Sequence, residues 1–147
     1  MTREQAIARA RQNFDTDFNC AESVLLTMAK YWGIRSNAIP RIATPFGGGL
    51  ARSGLTCGAV TGAIMAIGLK VGRDRPEEDN ERCYELTQKF MKRFSKRFGD
   101  TACYGLIDLD ISTASGRREW EKRSLHDTCS GFVEWAVGEL CKTFPMT

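Results

Sequence analysis

Six cysteines carry most of the chemistry that this chain offers. They stand at positions 20, 57, 83, 103, 129 and 141, at intervals of 37, 26, 20, 26 and 12 residues. No CxxC is present, so the chain has neither a thioredoxin-type motif nor a zinc ribbon. No CxxCH is present, so covalent attachment of a c-type haem has no support. His126 is the one histidine, which excludes His-rich zinc and di-iron sites. A metal site would have to be assembled from distant segments.

Placement sorts the six into two groups. Cys20, Cys57, Cys103 and Cys129 each fall where the pattern predicts the first turn of a helix. The caps expected there are Asn19, Thr56, Asp100 and either Asp127 or Thr128. Free N–H groups and a partial positive charge at a helix start favour a thiolate and lower its pKa. The other reading of these four is buried thiols that simply pack, since cysteine is among the most buried residue types. Cys83 and Cys141 fall inside helices on apolar faces, where free cysteine behaves as a small hydrophobe.

The elements that must position these residues read as all helix. A first helix fits Arg3 to about Phe14. A second begins after Asn19, with Glu22 completing a capping box, and stops at Gly33. A short helix is expected over Asn37 to Ala43, with Pro40 in its first turn. Phe46-Gly47-Gly48-Gly49 reads as a loop. Helices follow near Thr56 to Leu69, Pro76 to Arg97, Cys103 to Ile107 and Thr128 to Lys142, while Ser112 to Lys122 is ambiguous. No alternating strand pattern occurs. The expected fold is an all-α, single-domain bundle of five to six helices, with no internal repeat and no domain boundary.

Composition narrows the classes. The chain has 147 residues, 42% of them apolar and 27% charged, the balance of an ordinary globular domain. A net charge of +3 is too small to argue for nucleic acid or a membrane surface. The longest low-charge apolar run, Cys57 to Leu69, has 13 residues, too few to cross a bilayer. Met1-Thr2-Arg3-Glu4 opens no apolar leader, so the expectation is a cytoplasmic protein that keeps its cysteines as thiols or binds metal with them.

Several segments resemble the C_GCAxxG_C_C family of redox-active proteins, whose relatives include split-Soret cytochromes. They are Asn19-Cys20-Ala21 with Ser23-Val24-Leu25, Phe46-Gly47-Gly48-Gly49 with Arg52, and Gly54-Leu55-Thr56-Cys57-Gly58-Ala59-Val60-Thr61-Gly62-Ala63. Arg97-Phe98-Gly99 before Cys103, and Cys129 before Phe132-Val133, extend the likeness over about residues 15 to 142. The central stretch Cys57-Gly58-Ala59-Val60-Thr61-Gly62 matches the family's motif loosely, and the haem motif of the split-Soret relatives is missing. The resemblance implies a redox role and an iron–sulfur centre with Cys20, Cys57, Cys103 and Cys129 as ligands. It also implies a homodimer, to which the small-residue helix from Gly58 to Ala66 adds. Gly47, Gly48 and Gly49 would let backbone approach such a group, and Arg52 would offset its charge or bind an anion.

Three functions follow as expectations. The first is electron transfer or redox sensing through the cluster, with a redox partner protein. The second is a metal-free thiol–disulfide protein. The third is a structural zinc or helical interaction module, zinc being the alternative cofactor. The basic run Lys89 to Arg97 either docks an acidic redox partner or is a solvated helix face. His126, three residues before Cys129, reads as an exposed histidine with no site role, the alternative being a proton carrier beside the cysteines, and Trp32, Trp120 and Trp135 read as core or interface aromatics. No catalytic base or nucleophile can be named.

Overall fold

The computed structural model describes residues 1–146 and contains eight α-helices among them, with no strand. They are α1 Arg3–Asp15, α2 Cys20–Tyr31, α3 Gly47–Leu50, α4 Gly58–Val71, α5 Glu81–Phe98, α6 Cys103–Ile107, α7 Ala114–Lys122 and α8 Leu125–Thr143. A 3₁₀ helix covers Arg41–Phe46. The class is as expected, but the count of five to six is too low. Two short elements, α3 and α7, make the difference, and neither is long enough for apolar periodicity to announce it, whereas α6 stands at the expected Cys103 to Ile107.

Local chemistry explains the boundaries. Thr2 and Gln5 form a capping box on α1, and Asn19 and Glu22 form another on α2. The expected helix over Asn37 to Ala43 is displaced to Arg41–Phe46, with Pro40 at its N-cap. The residue before a proline is driven out of the αR region, so Ile39 cannot lead a helix through Pro40. Helix α7 settles the ambiguous segment, with Thr113 Oγ1 accepting the Gly116 N–H at 3.0 Å. Gly99 closes α5 in the left-handed conformation, with φ 92°.

Helix α2 is the centre of the bundle. It packs on α4, α1 and α8, while α1 lies along α8, and α5 packs on α4. The α2–α4 approach is close because of two glycines. A Cβ on Gly62 would stand 2.7 Å from the Ala21 carbonyl oxygen, and one on Gly58 would stand 3.0 Å from the Cys20 Cβ. The small-residue stripe is therefore filled by α2 of the same chain rather than by a second copy. Val24, Leu25 and Met28 of α2 meet Val60, Ala63 and Ile67 of α4 in one buried core, with Val133 and Val137 of α8. No helix among the described residues is long and apolar enough to cross a membrane.

Candidate functional site

Cys20, Cys57, Cys103 and Cys129 line one cavity of about 650 Å³. Each arrives by a different local device. Cys20 is the first residue of α2, directly after its capping box. Cys57 is itself the N-cap of α4, a place the sequence had assigned to Thr56. Cys103 is the first residue of α6, whose N-cap is Ala102 rather than Asp100. Asp100 instead accepts the Thr101 and Ala102 N–H groups at 2.7 and 3.0 Å, holding the entry to the helix. Cys129 departs most from expectation. Helix α8 starts at Leu125, after a left-handed Ser124, so Cys129 lies in the second turn and not at the helix start.

Cys57 and Cys103 lie 46 positions apart in sequence, yet a short backbone ladder sets them side by side. Thr56 and Ala102 form an isolated antiparallel bridge. Around it the Cys57 N–H donates to the Thr101 carbonyl at 2.8 Å, and the Cys103 N–H donates to the Leu55 carbonyl at 2.6 Å.

Gly47, Gly48, Gly49 and Arg52 also line the cavity. The expected loop there is a left-handed helical turn. Gly48, Gly49, Leu50, Ala51 and Arg52 all have φ between 51° and 68°. A non-glycine residue in this conformation costs roughly 1–2 kcal/mol, so Leu50, Ala51 and Arg52 hold strain beside the cysteines. Gly49 has no freedom to change: a Cβ there would lie 2.7 Å from the Leu55 backbone and 2.8 Å from the Cys103 Cβ. Arg52 packs over Gly48, is exposed, and has no ion pair among the described residues.

All six cysteines are free thiols. The expectation of four lowered pKa values is corrected at three positions. Burial pushes Cys57 up to about 12, against the pull of the Ala59 and Val60 amides at the helix start. Burial first, and then the nearby charge of Cys129, raise Cys103 to about 11. Cys20 and Cys129 are paired: Cys20 keeps its proton, chiefly through its hydrogen bond with Cys129 and then through burial. Cys129 alone is lowered, by that same bond and by the Trp120 side chain. Desolvation outweighs the helix-start field because these sulfurs are nearly sealed from water, Cys57 being 4% exposed.

This ordering has a measurable consequence. In metal-free protein below pH 9, alkylation at Cys57 should run roughly 1,000-fold slower than at an ordinary thiol, because only the thiolate reacts. Peptide mapping after iodoacetamide should show half-buried Cys83 labelled first. Stability should fall as pH climbs from 9 toward 12, where the unfolded chain releases the Cys57 proton that the folded chain retains. Labelling of Cys57 as fast as Cys83 would refute the sealed, protonated state.

Two further residues lie at the site. His126 lines the cavity, stacks on Phe14 at 4.4 Å and bonds Asp15 Oδ1 through Nε2 at 2.7 Å. That bond, with Arg11, holds Asp15 below its usual range. Its position three residues before Cys129, one helical turn, was the sequence signal for a place beside the cysteines, and the cavity lining agrees with that alternative rather than with an exposed histidine outside the site. Trp120 also lines the cavity, and nothing in its surroundings in sequence marked it. Cys83 and Cys141 do not line the cavity; Cys141 is buried in α8, where the Tyr31 side chain bears on its thiol.

Among the described residues, no three His, Cys, Asp or Glu side chains converge tightly enough to hold a metal ion. The four thiols surround a space instead of a point. Residues 18–143 match the model of the family described as "Putative redox-active protein (C_GCAxxG_C_C)". No curated protein and no solved structure matches the chain significantly.

Proposed function

The chain belongs to the C_GCAxxG_C_C family, and on that footing we propose that it is a redox protein whose Cys20, Cys57, Cys103 and Cys129 hold an iron–sulfur cluster for electron transfer or redox sensing. One observation carries this reading: four free thiols from four separate helices border a single cavity. Four thiols would also suit a tetrathiolate zinc ion, which is the alternative cofactor. Four cysteine thiolates are the usual ligands of iron–sulfur clusters. Without a cation, the hydrogen bond to Cys129 and burial keep Cys20 protonated, and burial does the same for Cys57 and Cys103. Iron would displace those protons, since a coordinating thiol is deprotonated outright.

When bound, the cluster would supply one-electron chemistry. The chain's own residues do the rest. Trp120 and Phe132 wall the cavity against water, and the left-handed Gly48 and Gly49 bring backbone close to it. Arg52 offsets negative charge at its rim.

Anaerobic purification or reconstitution with iron and sulfide tests the proposal. The expected protein is coloured, with broad absorption above ~400 nm and iron and sulfide in matching amounts, as four-cysteine ligation implies. A colourless protein free of both would overturn it.

A second reading rests on the Cys20–Cys129 pair, in which one thiol holds its proton while the other is the easier to ionise. Oxidation of that pair would form one S–S bond and release two protons and two electrons to a two-electron oxidant. Loss of two titratable thiols on mild oxidation of metal-free protein, restored by a dithiol, would favour it.

A further inference from the structure

A column of aromatic rings runs from the thiol cavity to a second groove on another face of the bundle. Phe132 lines the cavity. Its ring lies 4.9 Å from Phe98 and 5.9 Å from Phe94. Both of those lie 5.7 Å from Trp135, which is 5.7 Å from Phe90. Trp135 and Phe90 then line a groove of about 670 Å³ between α5 and α8. No ring-to-ring step on this column exceeds van der Waals packing, so electronic coupling across it meets no gap.

The groove is apolar within and basic at its edge. Ile67, Leu86 and Leu140 complete its walls, and Lys89, Arg93 and Lys142 stand around it. Its one carboxylate, Glu139, is tied to Arg93 at 2.9 Å, and Lys89 pairs with Glu85 of the preceding turn at 3.1 Å, so Lys142 is the groove's cation outside these pairs. Residues 89 to 97 of α5 contain five cations and no carboxylate, and although only Lys89 and Arg93 of these line the groove, Lys92, Lys96 and Arg97 add positive charge on the same helix. A surface of this kind attracts an acidic partner and places it over the rings.

We propose that the α5–α8 groove docks an acidic one-electron carrier protein, and that the column from Phe132 to Trp135 is the electron's path between that carrier and the thiol cavity. This rests on the redox reading above. In each transfer the centre in the cavity is oxidised by one electron and the carrier is reduced by one, and no bond is made or broken.

Native cytochrome c, which is basic, and its succinylated form, which is acidic, make a matched pair of probes with the same haem. Binding is measured by calorimetry at low salt, and electron transfer by stopped-flow from the reduced, reconstituted protein. The succinylated form should bind at least tenfold more tightly, and added salt should abolish the difference. Lys89→Glu with Lys142→Glu should remove that preference, while Arg35→Ala, an exposed cation outside both the groove and the cavity, should leave it. Trp135→Leu should keep binding but slow electron transfer at least fivefold, and Trp135→Phe should restore much of the rate. Equal binding of the two probes, or a loss at Arg35→Ala and not at the lysine pair, would overturn the docking face. Unchanged rates in Trp135→Leu would overturn the path. Binding with no electron passed to either probe would instead count against the redox reading.

Discussion

Replacing Cys57 with serine is expected to separate the fold from its cargo. Iron bound after anaerobic reconstitution should fall roughly tenfold or more, since even changes behind a metal ligand cost about 10–100-fold in affinity. The metal-free protein should meanwhile be as stable as the parent, or up to about 1 kcal/mol more stable. The reason is position. Cys57 is the N-cap of α4, with the Ala59 and Val60 amides bearing on its sulfur. Serine is among the favoured N-cap residues, and its oxygen accepts such N–H groups more strongly than sulfur does. A packing role for this cysteine predicts the opposite: lower stability and unchanged iron. Cys20→Ser, Cys103→Ser and Cys129→Ser should lose iron as well. Cys83→Ser should retain it, because that thiol lies outside the cavity. Iron and sulfide analysis beside thermal melts of the metal-free variants measures both quantities. Full iron in Cys57→Ser would remove this residue from the ligand set.

The thermal half of that experiment depends on features the sequence exposed unevenly. Asn19 with Glu22, Gly33 and Gly99 are local signals, each satisfied within one turn of chain, and all three boundaries stand where they point. The grouping of Cys20, Cys57, Cys103 and Cys129 apart from Cys83 and Cys141 was legible through family motifs and, for the first three, through helix position, whereas Cys129 stands in the second turn of α8. The left-handed turn over Gly48 to Arg52 was not. Three glycines announce conformational freedom, but nothing in Leu50, Ala51 or Arg52 says that they will follow the glycines into positive φ. That conformation is imposed from outside, by bonds such as Leu55 N–H to the Gly49 carbonyl at 2.9 Å. The thiol pKa values were misjudged for a similar reason. A helix start is a local property, whereas the burial that outweighs it comes from α2, α4, α6 and α8 closing on one cavity.

The same distinction between local and tertiary control governs two glycines of α4. Gly68→Ala should raise stability by about 0.5–1 kcal/mol, because alanine is the better helix former and nothing lies within 4 Å of the added methyl. Gly62→Ala has the same propensity gain and should nonetheless lower stability by about 1–3 kcal/mol, the usual range for overpacking. Its methyl would sit 2.7 Å from the Ala21 carbonyl oxygen and 3.0 Å from the Ala21 Cα. Those are backbone atoms, so no rotamer change relieves the contact, and α2 and α4 must part. In a chain of this length the two variants should melt roughly 3–16 °C apart, given about 2–4 °C per kcal/mol. The displacement also reaches the cavity. Ala21 follows Cys20, and α4 carries Cys57 at its start, so separating the helices moves two of the four sulfurs apart. Gly62→Ala should therefore take up less iron than Gly68→Ala at a temperature where both are folded. If the two variants melt together, α2 and α4 are not held at the distance described, and the close approach that sets Cys20 beside Cys57 loses its physical basis.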